Sequence, residues 1–419
     1  MRSIISICVF LFIGSVVAAD DWPQWLGPKR DGGSAELIKP WKAPLKVLWK
    51  QPVGDGHGGP VVAKGSVFVH FGGVRKGDGK DIYEETLAAF DADTGKQKWT
   101  KTYERKASKF QFGNGPRGAP CVVGGKVYTF GITSILTCFN ADDGKIVWQI
   151  DTAKDYKAAI PFFGSSCSPI VVDDKVMVNV GGKEASIVAF DKNTGKELWK
   201  KLDDGASYSS PIIVGEGEIR QVVFLTARGL VSIFPRDGSI FWQHPLVDLL
   251  SESSTTPVVI DDILFASSIT TGSIGLKLEN NRAIPGVSKA WNNAGLTCYF
   301  ATPVAVGKDT LYMVTGNNPL SFKKSKAALK AVDAKSGKEL WTRDNVGAYH
   351  ASLLRTGDNK LLLVEEPGNF VLIDPNRKEY TELARTDKVC GNTWAHPALA
   401  NGRVYIRDAK DLICVELPK

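Results

Sequence analysis

The stretch AFDADTGKQKW (Ala89–Trp99) recurs in this chain with small changes. It returns as CFNADDGKIVW (Cys138–Trp148), AFDKNTGKELW (Ala189–Trp199) and AVDAKSGKELW (Ala331–Trp341). An apolar run leads into Asp or Asn, a polar turn ends in Gly, and a short strand carries Trp. Gly accepts the left-handed backbone of a tight turn, and Asp and Asn bond their own backbone there. Each copy therefore predicts a β-hairpin.

A glycine stands four residues before a tryptophan five times, at Gly95/Trp99, Gly144/Trp148, Gly195/Trp199, Gly238/Trp242 and Gly337/Trp341. Upstream of these hairpins, a proline opens an apolar run at Pro60, Pro120, Pro169, Pro211, Pro257, Pro303 and Pro397, and Ser352-Leu353-Leu354 fills the same place without proline. The interval between these markers, about 42–60 residues, is that of a propeller blade. The pattern predicts an all-β fold, an eight-bladed β-propeller of four-stranded antiparallel blades.

The eighth unit holds three strands, and the missing fourth is predicted at the other end of the chain, in KVLWKQPV (Lys46–Val53). This strand would close the ring and remove its exposed edges. The repeated tryptophans are predicted to pack between neighbouring blades rather than to bind ligands. Tyr380 is expected to replace the tryptophan missing from blade seven. Trp49 is expected to be buried at the closure, whereas Trp22 is expected to lie outside the ring.

The chain divides into three predicted parts. Residues 1–19 read as a secretory signal peptide, with Arg2 before an uncharged apolar run that ends in small residues. Residues 20–45 are an extended lead, and residues 46–419 form the propeller. No later segment is long and apolar enough to span a bilayer. The sequence therefore predicts a secreted or periplasmic protein that is soluble after signal cleavage.

The formal net charge is +7, and the lysines are scattered, many of them in turns. Because no basic cluster stands out, nucleic acid is not an expected partner. The cysteines left after signal cleavage are Cys121, Cys138, Cys167, Cys298, Cys390 and Cys414. The repeat alignment places Cys121, Cys138 and Cys414 in the core, and leaves one disulfide among Cys167, Cys298 and Cys390 open.

The repeats resemble the pyrroloquinoline-quinone-like (PQQ-like) repeats of quinoprotein dehydrogenases. They also resemble the non-enzymatic propeller of the outer-membrane β-barrel assembly machine (BamB-type). The resemblance covers nearly the whole mature chain and implies the fold. The dehydrogenases further have an adjacent Cys-Cys pair and Glu, Asn and Asp ligands for calcium. This chain has no Cys-Cys pair and no Asp-x-Asp-x-Asp loop.

In a propeller, the loop that enters the first strand of each blade opens on one face, where ligands usually bind. Three residues before each marker stand His57, Arg117, Ser166, Tyr208, Ser254, Phe300, His350 and Trp394. His57, Arg117, His350 and Trp394, with nearby His396, are predicted to crowd one side of the mouth, and the other side to be smaller and mostly uncharged. Arginine with histidines and an indole suits an anionic or planar ligand. A structural role in loops is the competing interpretation.

No catalytic motif and no metal-ligand spacing appears in the sequence. The favoured hypothesis is an exported, non-catalytic binding or scaffolding propeller, with a protein partner or a small anionic ligand and without a cofactor. The alternative hypothesis is a quinone-dependent alcohol or sugar dehydrogenase that uses PQQ with calcium.

Overall fold

In the part of the chain that the structure describes, eight four-stranded antiparallel sheets and one short helix are found. The computed structural model describes residues 21–279, 284–315 and 326–418. The predicted signal peptide lies outside the described residues. Seven sheets run in chain order, and the eighth pairs strands from both ends of the chain. The prediction of an eight-bladed propeller closed by the N-terminal strand is confirmed.

The first four blades share one order, in which the first strand is innermost and the fourth is outermost. Blade 1 is β2 (Val61–Ala63), β3 (Ser66–Lys76), β4 (Asp81–Asp91) and β5 (Gln97–Glu104); blade 2 is β6 (Cys121–Val123), β7 (Lys126–Phe130), β8 (Ile135–Asn140) and β9 (Ile146–Asp151); blade 3 is β10 (Ile170–Val172), β11 (Lys175–Gly182), β12 (Ala185–Asp191) and β13 (Glu197–Lys201); blade 4 is β14 (Ile212–Val214), β15 (Gln221–Leu225), β16 (Gly229–Ile233) and β17 (Ile240–Pro245). Helix α1 (Thr152–Asp155) follows β9, and a 3₁₀ turn (Gly217–Ile219) precedes β15.

The remaining blades repeat that order until the closure. Blade 5 is β18 (Val258–Ile260), β19 (Ile263–Ser268), β20 (Gly272–Glu279) and β21 (Gly286–Asn293); blade 6 is β22 (Val304–Val306), β23 (Thr310–Thr315), β24 (Ala327–Asp333) and β25 (Lys338–Gly347); blade 7 is β26 (Ala351–Arg355), β27 (Leu361–Glu365), β28 (Phe370–Asp374) and β29 (Thr381–Thr386); blade 8 is β30 (Ala398–Ala400), β31 (Arg403–Arg407), β32 (Asp411–Glu416) and β1 (Lys46–Pro52). Strand β1 pairs with β32 from Lys46↔Glu416 to Pro52↔Asp411.

The repeated tryptophans join each blade to the next, as predicted. Six of them donate from Nε1 to a backbone carbonyl in the third-to-fourth-strand turn of the following blade, at 2.8–3.2 Å. These donors are Trp49, Trp99, Trp148, Trp199, Trp291 and Trp341, and their acceptors are Ala92, Ala141, Lys192, Pro235, Ala334 and Asn376. Trp242 instead donates to Gln221 Oε1 in its own blade. The indoles therefore serve blade packing and satisfy turn carbonyls at the same time.

The turn glycines of the repeat make room for these indole rings. A methyl group on Gly144 would lie 2.4 Å from the Trp99 ring, and one on Gly95 would lie 2.6 Å from the Trp49 ring. Both glycines also have positive φ angles, +71° in each case. The Gly-x-x-x-Trp spacing thus reflects two requirements, a left-handed turn and a flat surface for the indole of the preceding blade.

Gly144→Ala and Gly125→Ala separate these two requirements. Gly125 has a similar φ of +74°, but a methyl group there would meet nothing within 4 Å. Gly125→Ala should therefore cost about 1 kcal/mol of backbone strain. Gly144→Ala should cost about 2–4 kcal/mol, because it adds overpacking against Trp99. Urea denaturation of the two variants measures the difference, and equal losses would contradict the packing role.

The strand register explains why the outer strand of blade seven lacks the repeated tryptophan. The residue in register with the tryptophans is Ala384, which pairs with Leu372, whereas Trp99 pairs with Ala89. Tyr380 therefore does not replace the tryptophan, and that prediction is wrong; its ring instead packs on Trp341 of blade 6. A tryptophan in blade seven would need the third-to-fourth-strand turn of blade 8. That turn does not exist, because β32 and β1 come from opposite ends of the chain.

The segment before β1 supplies an indole at this junction. Trp41 is buried in the same apolar cluster as Leu372 and Ala384, and its Nε1 donates to Thr386 Oγ1 at 2.9 Å. The closure thus carries two tryptophans of the N-terminal segment. Trp41 packs toward blade 7, and Trp49 packs toward blade 1.

Residues 21–36, here called the axial plug, enter the centre of the ring and leave it again. Trp22 exchanges two backbone hydrogen bonds with Val62 of β2, both 2.9 Å. Arg30 donates to the carbonyls of Ser168 and Pro169 beside β10. Gly33 then bridges to Arg355 of β26. Trp22 is only 2 % exposed, so the expectation that it lies outside the ring is wrong.

The six cysteines that the structure describes pack as small apolar side chains. Cys121, Cys138, Cys167, Cys298, Cys390 and Cys414 are buried and unpaired. Cys167, Cys298 and Cys390 belong to three different apolar clusters, so no disulfide joins them. Within the described ranges, no helix has the length and apolarity that crossing a bilayer requires.

Candidate functional site

The loops that enter the inner strands surround one cavity of about 480 Å³ on the propeller axis, here called the cup. It is lined by Trp25, His57, Gln111, Phe112, Arg117, Phe162, Phe163, Ser166, Ser168, Tyr208, Ser210, Glu252, Ser254, Tyr299, Phe300, Tyr349 and Trp394. Of the eight residues predicted at the mouth, all except His350 line this cavity. Counting three residues back from each marker therefore identified residues that line the cavity. Ligand binding by these residues stays a prediction.

The axial plug closes the bottom of the cup. The ring of Trp25 lines the cavity, and its Nε1 donates to Thr256 Oγ1 at 2.9 Å. Behind it, His396 packs edge-on against Trp25 and stacks on Trp22. The central channel is therefore filled by the chain's own N-terminal segment at this level, and the cup opens toward the mouth.

Aromatic rings make up more than half of the cup lining. Phe112 and Phe300 both pack on Trp394, with ring centroids 5.4 and 5.2 Å apart, and Phe163 packs on Tyr208 at 5.6 Å. At the rim, Phe162 is 70 % exposed and Phe112 is 47 % exposed. Exposed rings around a concave apolar surface are typical of binding sites in soluble proteins.

Arg117 places a cation in this apolar wall. Its Nε donates to Phe163 O at 2.6 Å, and its Nη2 donates to Gln111 O at 2.8 Å. In the described chain, no carboxylate lies within 4 Å of its guanidinium. Burial lowers the pKa of Arg117, yet arginine stays charged at neutral pH. The cup therefore offers a positive charge without an ion-pair partner.

The opposite wall of the cup carries one carboxylate, that of Glu252. Glu252 lines it, and Tyr299 donates a hydrogen bond to Glu252 Oε2 at 2.7 Å. Burial raises the pKa of Glu252 above its ordinary value. The prediction of one residue per blade did not include Glu252, which lies two residues before Ser254 and adds one carboxylate to this mostly uncharged side.

The histidines do not form one cluster at the mouth. His57 lines the cup and lies 2.6 Å from Phe112 O through Nε2, so it holds the loop that carries Phe112. His350 is buried behind Phe300, with the two rings stacked at 4.9 Å. His396 is buried between the carbonyls of Pro397 and Leu353. The prediction that His350 and His396 face the mouth is therefore wrong, and both serve packing of the inner strands.

His350 should make stability depend on pH. Burial lowers its pKa from 6.5 to about 3, and its Nδ1 has no hydrogen-bond partner. Its stabilising contribution is therefore present above pH 6.5 and is lost as the pH falls toward the folded-state pKa. At pH 5 the unfolded chain binds a proton at this histidine and the native chain does not. This difference lowers the free energy of unfolding by about 2 kcal/mol.

The His350→Gln variant tests this pH dependence by urea denaturation at pH 7.5 and pH 5. Between pH 7.5 and pH 5, the free energy of unfolding should fall by about 2 kcal/mol less in the variant than in the unmodified protein. His244→Gln is the control, because His244 is only partly buried, on the outer strand β17. An unchanged pH dependence in His350→Gln would contradict the buried neutral histidine.

The cup does not offer the donors of a PQQ–calcium site. Glu252 is the one carboxylate among its lining residues. Over residues 21–279, 284–315 and 326–418, no group of three or more His, Cys, Asp or Glu residues converges on a metal position. Calcium prefers six to eight oxygen ligands, several of them carboxylates. The residues present therefore do not fit the metal that accompanies the quinone in the dehydrogenases.

The sequence also indicates the aromatic lining. The prediction of one mouth residue per blade did not use this signal. Aromatic residues cluster shortly before the inner strands, as FQF (Phe110–Phe112), FF (Phe162-Phe163) and YF (Tyr299-Phe300). Each cluster lies in a loop that opens on the mouth. Trp25 gave no such signal, because its position depends on the path of the axial plug.

Comparison with known proteins agrees with this architecture. A family model described as "Outer membrane protein assembly factor BamB" matches residues 32–110, 83–321 and 325–416. BamB of Yersinia pestis is 25% identical over 266 residues, and the match covers 58% of this chain and 60% of that protein. A quinoprotein ethanol dehydrogenase of Pseudomonas aeruginosa is 28% identical over 212 residues, and the match covers 40% of this chain and 33% of that protein. The chain thus spans less than two thirds of either relative.

Among solved structures, the quinohemoprotein alcohol dehydrogenase of Comamonas testosteroni is similar in fold. It superposes with a TM-score of 0.65 at 14% identity, over 96% of this chain and 82% of that one. This likeness shows the propeller alone. Because the family model covers most of the residues from 32 to 416, the chain belongs to the PQQ-like propeller family whose model is described as outer membrane protein assembly factor BamB.

Proposed function

We propose that this protein is an exported, non-catalytic propeller that binds a partner protein through the cup. One observation carries the proposal: a cavity of about 480 Å³ that opens at the mouth joins aromatic walls to an arginine without a carboxylate partner. An apolar side chain of the partner enters the cup, and an acidic group beside it pairs with Arg117. The signal-peptide pattern of residues 1–19 supports the proposed export.

The surface around the cup supports a partner larger than a small molecule. Leu249 is 71 % exposed and belongs to the loop between β17 and β18, which opens on the same face as Phe162. Tyr349, at the entry to blade 7, is also exposed. Apolar side chains thus extend beyond the cavity, as expected of a surface that a protein covers. The relative from Yersinia pestis is named as an assembly factor, which agrees with this function.

A quinone-dependent oxidoreductase is the second candidate function. The flat aromatic walls and Arg117 favour it, because they suit a planar molecule with carboxylates. One relative is a quinoprotein ethanol dehydrogenase. The single carboxylate of the cup argues against it, since the calcium ligands are missing from the lining.

Site-specific photo-cross-linking in the cells that make the protein tests partner binding at the cup. A photoreactive phenylalanine replaces Phe162 or Tyr349 at the rim, and Ile284 or Val147 away from it. All four side chains are exposed, Phe162 at 70 % and Ile284 at 66 %. One shared protein should be captured from both rim positions and from neither control. Equal capture at all positions, or none at the rim, would contradict the proposal.

A further inference from the structure

A second cavity, of about 240 Å³, lies beside the cup and is here called the side cavity. His57, Phe112 and Trp394 form the wall that the two cavities share. Its other side consists of blade 8 residues and of Glu366, which follows β27. Asn392 and Ala409 line the side cavity and are exposed, so it opens to solvent next to them.

Arg407, at the end of β31, carries a buried positive charge on the side cavity. The residue is 0 % exposed, and its Nη2 and Nε donate to the carbonyls of Gly54 and Asp408. Its Nη1 has no hydrogen-bond partner. That atom lies next to Gly56, which also lines the side cavity; a methyl group on Gly56 would be 2.9 Å from it. In the described chain, no carboxylate lies within 4 Å of the guanidinium, and a buried charge of this kind is costly.

Two carboxylates line the same cavity without a cationic partner. Glu366 accepts hydrogen bonds from Trp394 Nε1 at 2.8 Å and from the Tyr349 amide at 2.7 Å. Asp408 accepts from three backbone amides, those of Gly391, Lys410 and Asp411. Within the described ranges, no Lys, Arg or His side chain lies within 4 Å of either carboxylate. The cavity thus presents separate positive and negative groups, and none of them is in an ion pair.

We propose that the side cavity binds a small molecule with both a carboxylate and an ammonium group, the simplest class being a free α-amino acid. The ligand carboxylate accepts from Arg407 Nη1, and its ammonium faces Glu366 and Asp408. The two carboxylates would repel a simple anion, and the guanidinium would repel a simple ammonium ion. The volume corresponds to roughly eight water molecules, which suits a ligand with a small side chain.

Isothermal titration with glycine, L-serine, acetate and ethylammonium tests this ligand class on the whole protein in phosphate buffer. Glycine or serine should bind, and acetate and ethylammonium should bind at least tenfold more weakly, because each carries one of the two charges. No binding of either amino acid up to about 20 mM overturns the proposal. Acetate binding as tight as glycine binding overturns it as well.

Variants locate the binding within the side cavity. Arg407→Gln should weaken glycine binding at least tenfold, whereas Arg75→Gln, on the exposed part of β3, should leave it unchanged. Ala409→Phe narrows the opening without removing a charge and should also weaken binding at least tenfold, which keeps the test decisive if Arg407→Gln does not fold. Unchanged affinity in Ala409→Phe overturns the proposal. Phe162→Ser lies in the cup and should not affect glycine binding, so failure here is distinct from failure of partner binding.

Discussion

Replacing Trp49 by Ala is expected to lower the free energy of unfolding by about 3–5 kcal/mol, as for other buried aromatic truncations. Trp49 sits on β1, opposite Cys414, and is 9 % exposed. Its Nε1 donates to Ala92 O, and its ring covers Gly95 of blade 1. The truncation therefore opens the ring at its closure, where no covalent turn joins the last two strands. Urea denaturation followed by far-UV circular dichroism measures the loss.

Two matched variants control this experiment. Trp49→Phe keeps an aromatic ring over Gly95 and loses the hydrogen bond to Ala92 O, so it should cost roughly 1 kcal/mol for that bond plus a smaller packing loss. Phe162→Ala removes an aromatic side chain that is 70 % exposed and should cost under about 1 kcal/mol. If Trp49→Ala is no less stable than Phe162→Ala, the ring does not depend on β1.

Replacing Trp22 by Ala should have an effect of similar size, about 3–5 kcal/mol. The indole is 2 % exposed, stacks on His396, and lies against Gly27, where a methyl group would come within 2.9 Å of the ring. Its removal leaves a hole in the centre of the propeller that the surrounding inner strands cannot fill. Thermal and urea unfolding of Trp22→Ala, measured beside Trp49→Ala, gives the comparison. A loss below about 1 kcal/mol would mean that residues 21–36 do not fill the axis.

The blades could be predicted from the sequence because their signals are local. Gly144 and Trp148 lie in one hairpin. The next blade has the same left-handed turn and the same packing of an indole on a turn glycine, so the same residue types recur there. The closure was predictable for a related reason, since a unit with three strands at one end matched a single strand at the other. The absence of tryptophan from blade seven was visible too. Its cause, the missing turn in blade 8, required the strand order.

The axial plug could not be predicted, because its contacts join residues that are far apart in the chain. Trp25 bonds to Thr256, and Arg30 bonds to the carbonyls of Ser168 and Pro169. Residues 21–36 contain no repeat and no regular alternation of apolar side chains. A lead of this composition resembles a solvent-exposed segment until the ring provides a cavity for it.

The sequence predicted the position of the candidate site better than it predicted which side chains line it. The proline markers put His57, Arg117 and Trp394 around one cavity, as the structure shows. They could not separate a side chain that enters the cavity from one that packs behind it. Phe300 and His350 occupy equivalent positions in adjacent blades, yet Phe300 lines the cup and His350 lies under it. Loop conformation decides such cases, and loop conformation depends on neighbouring blades.

Whether the cup is a binding surface or a cofactor site is tested most directly by titration with pyrroloquinoline quinone. Calorimetry and quinone absorbance are recorded with and without calcium, on the purified protein that keeps residues 21–53. The cup lining has one carboxylate, Glu252, and calcium needs several. We therefore expect no saturable binding up to high micromolar quinone and no effect of calcium. Stoichiometric binding at micromolar quinone that requires calcium would contradict a non-catalytic binding propeller.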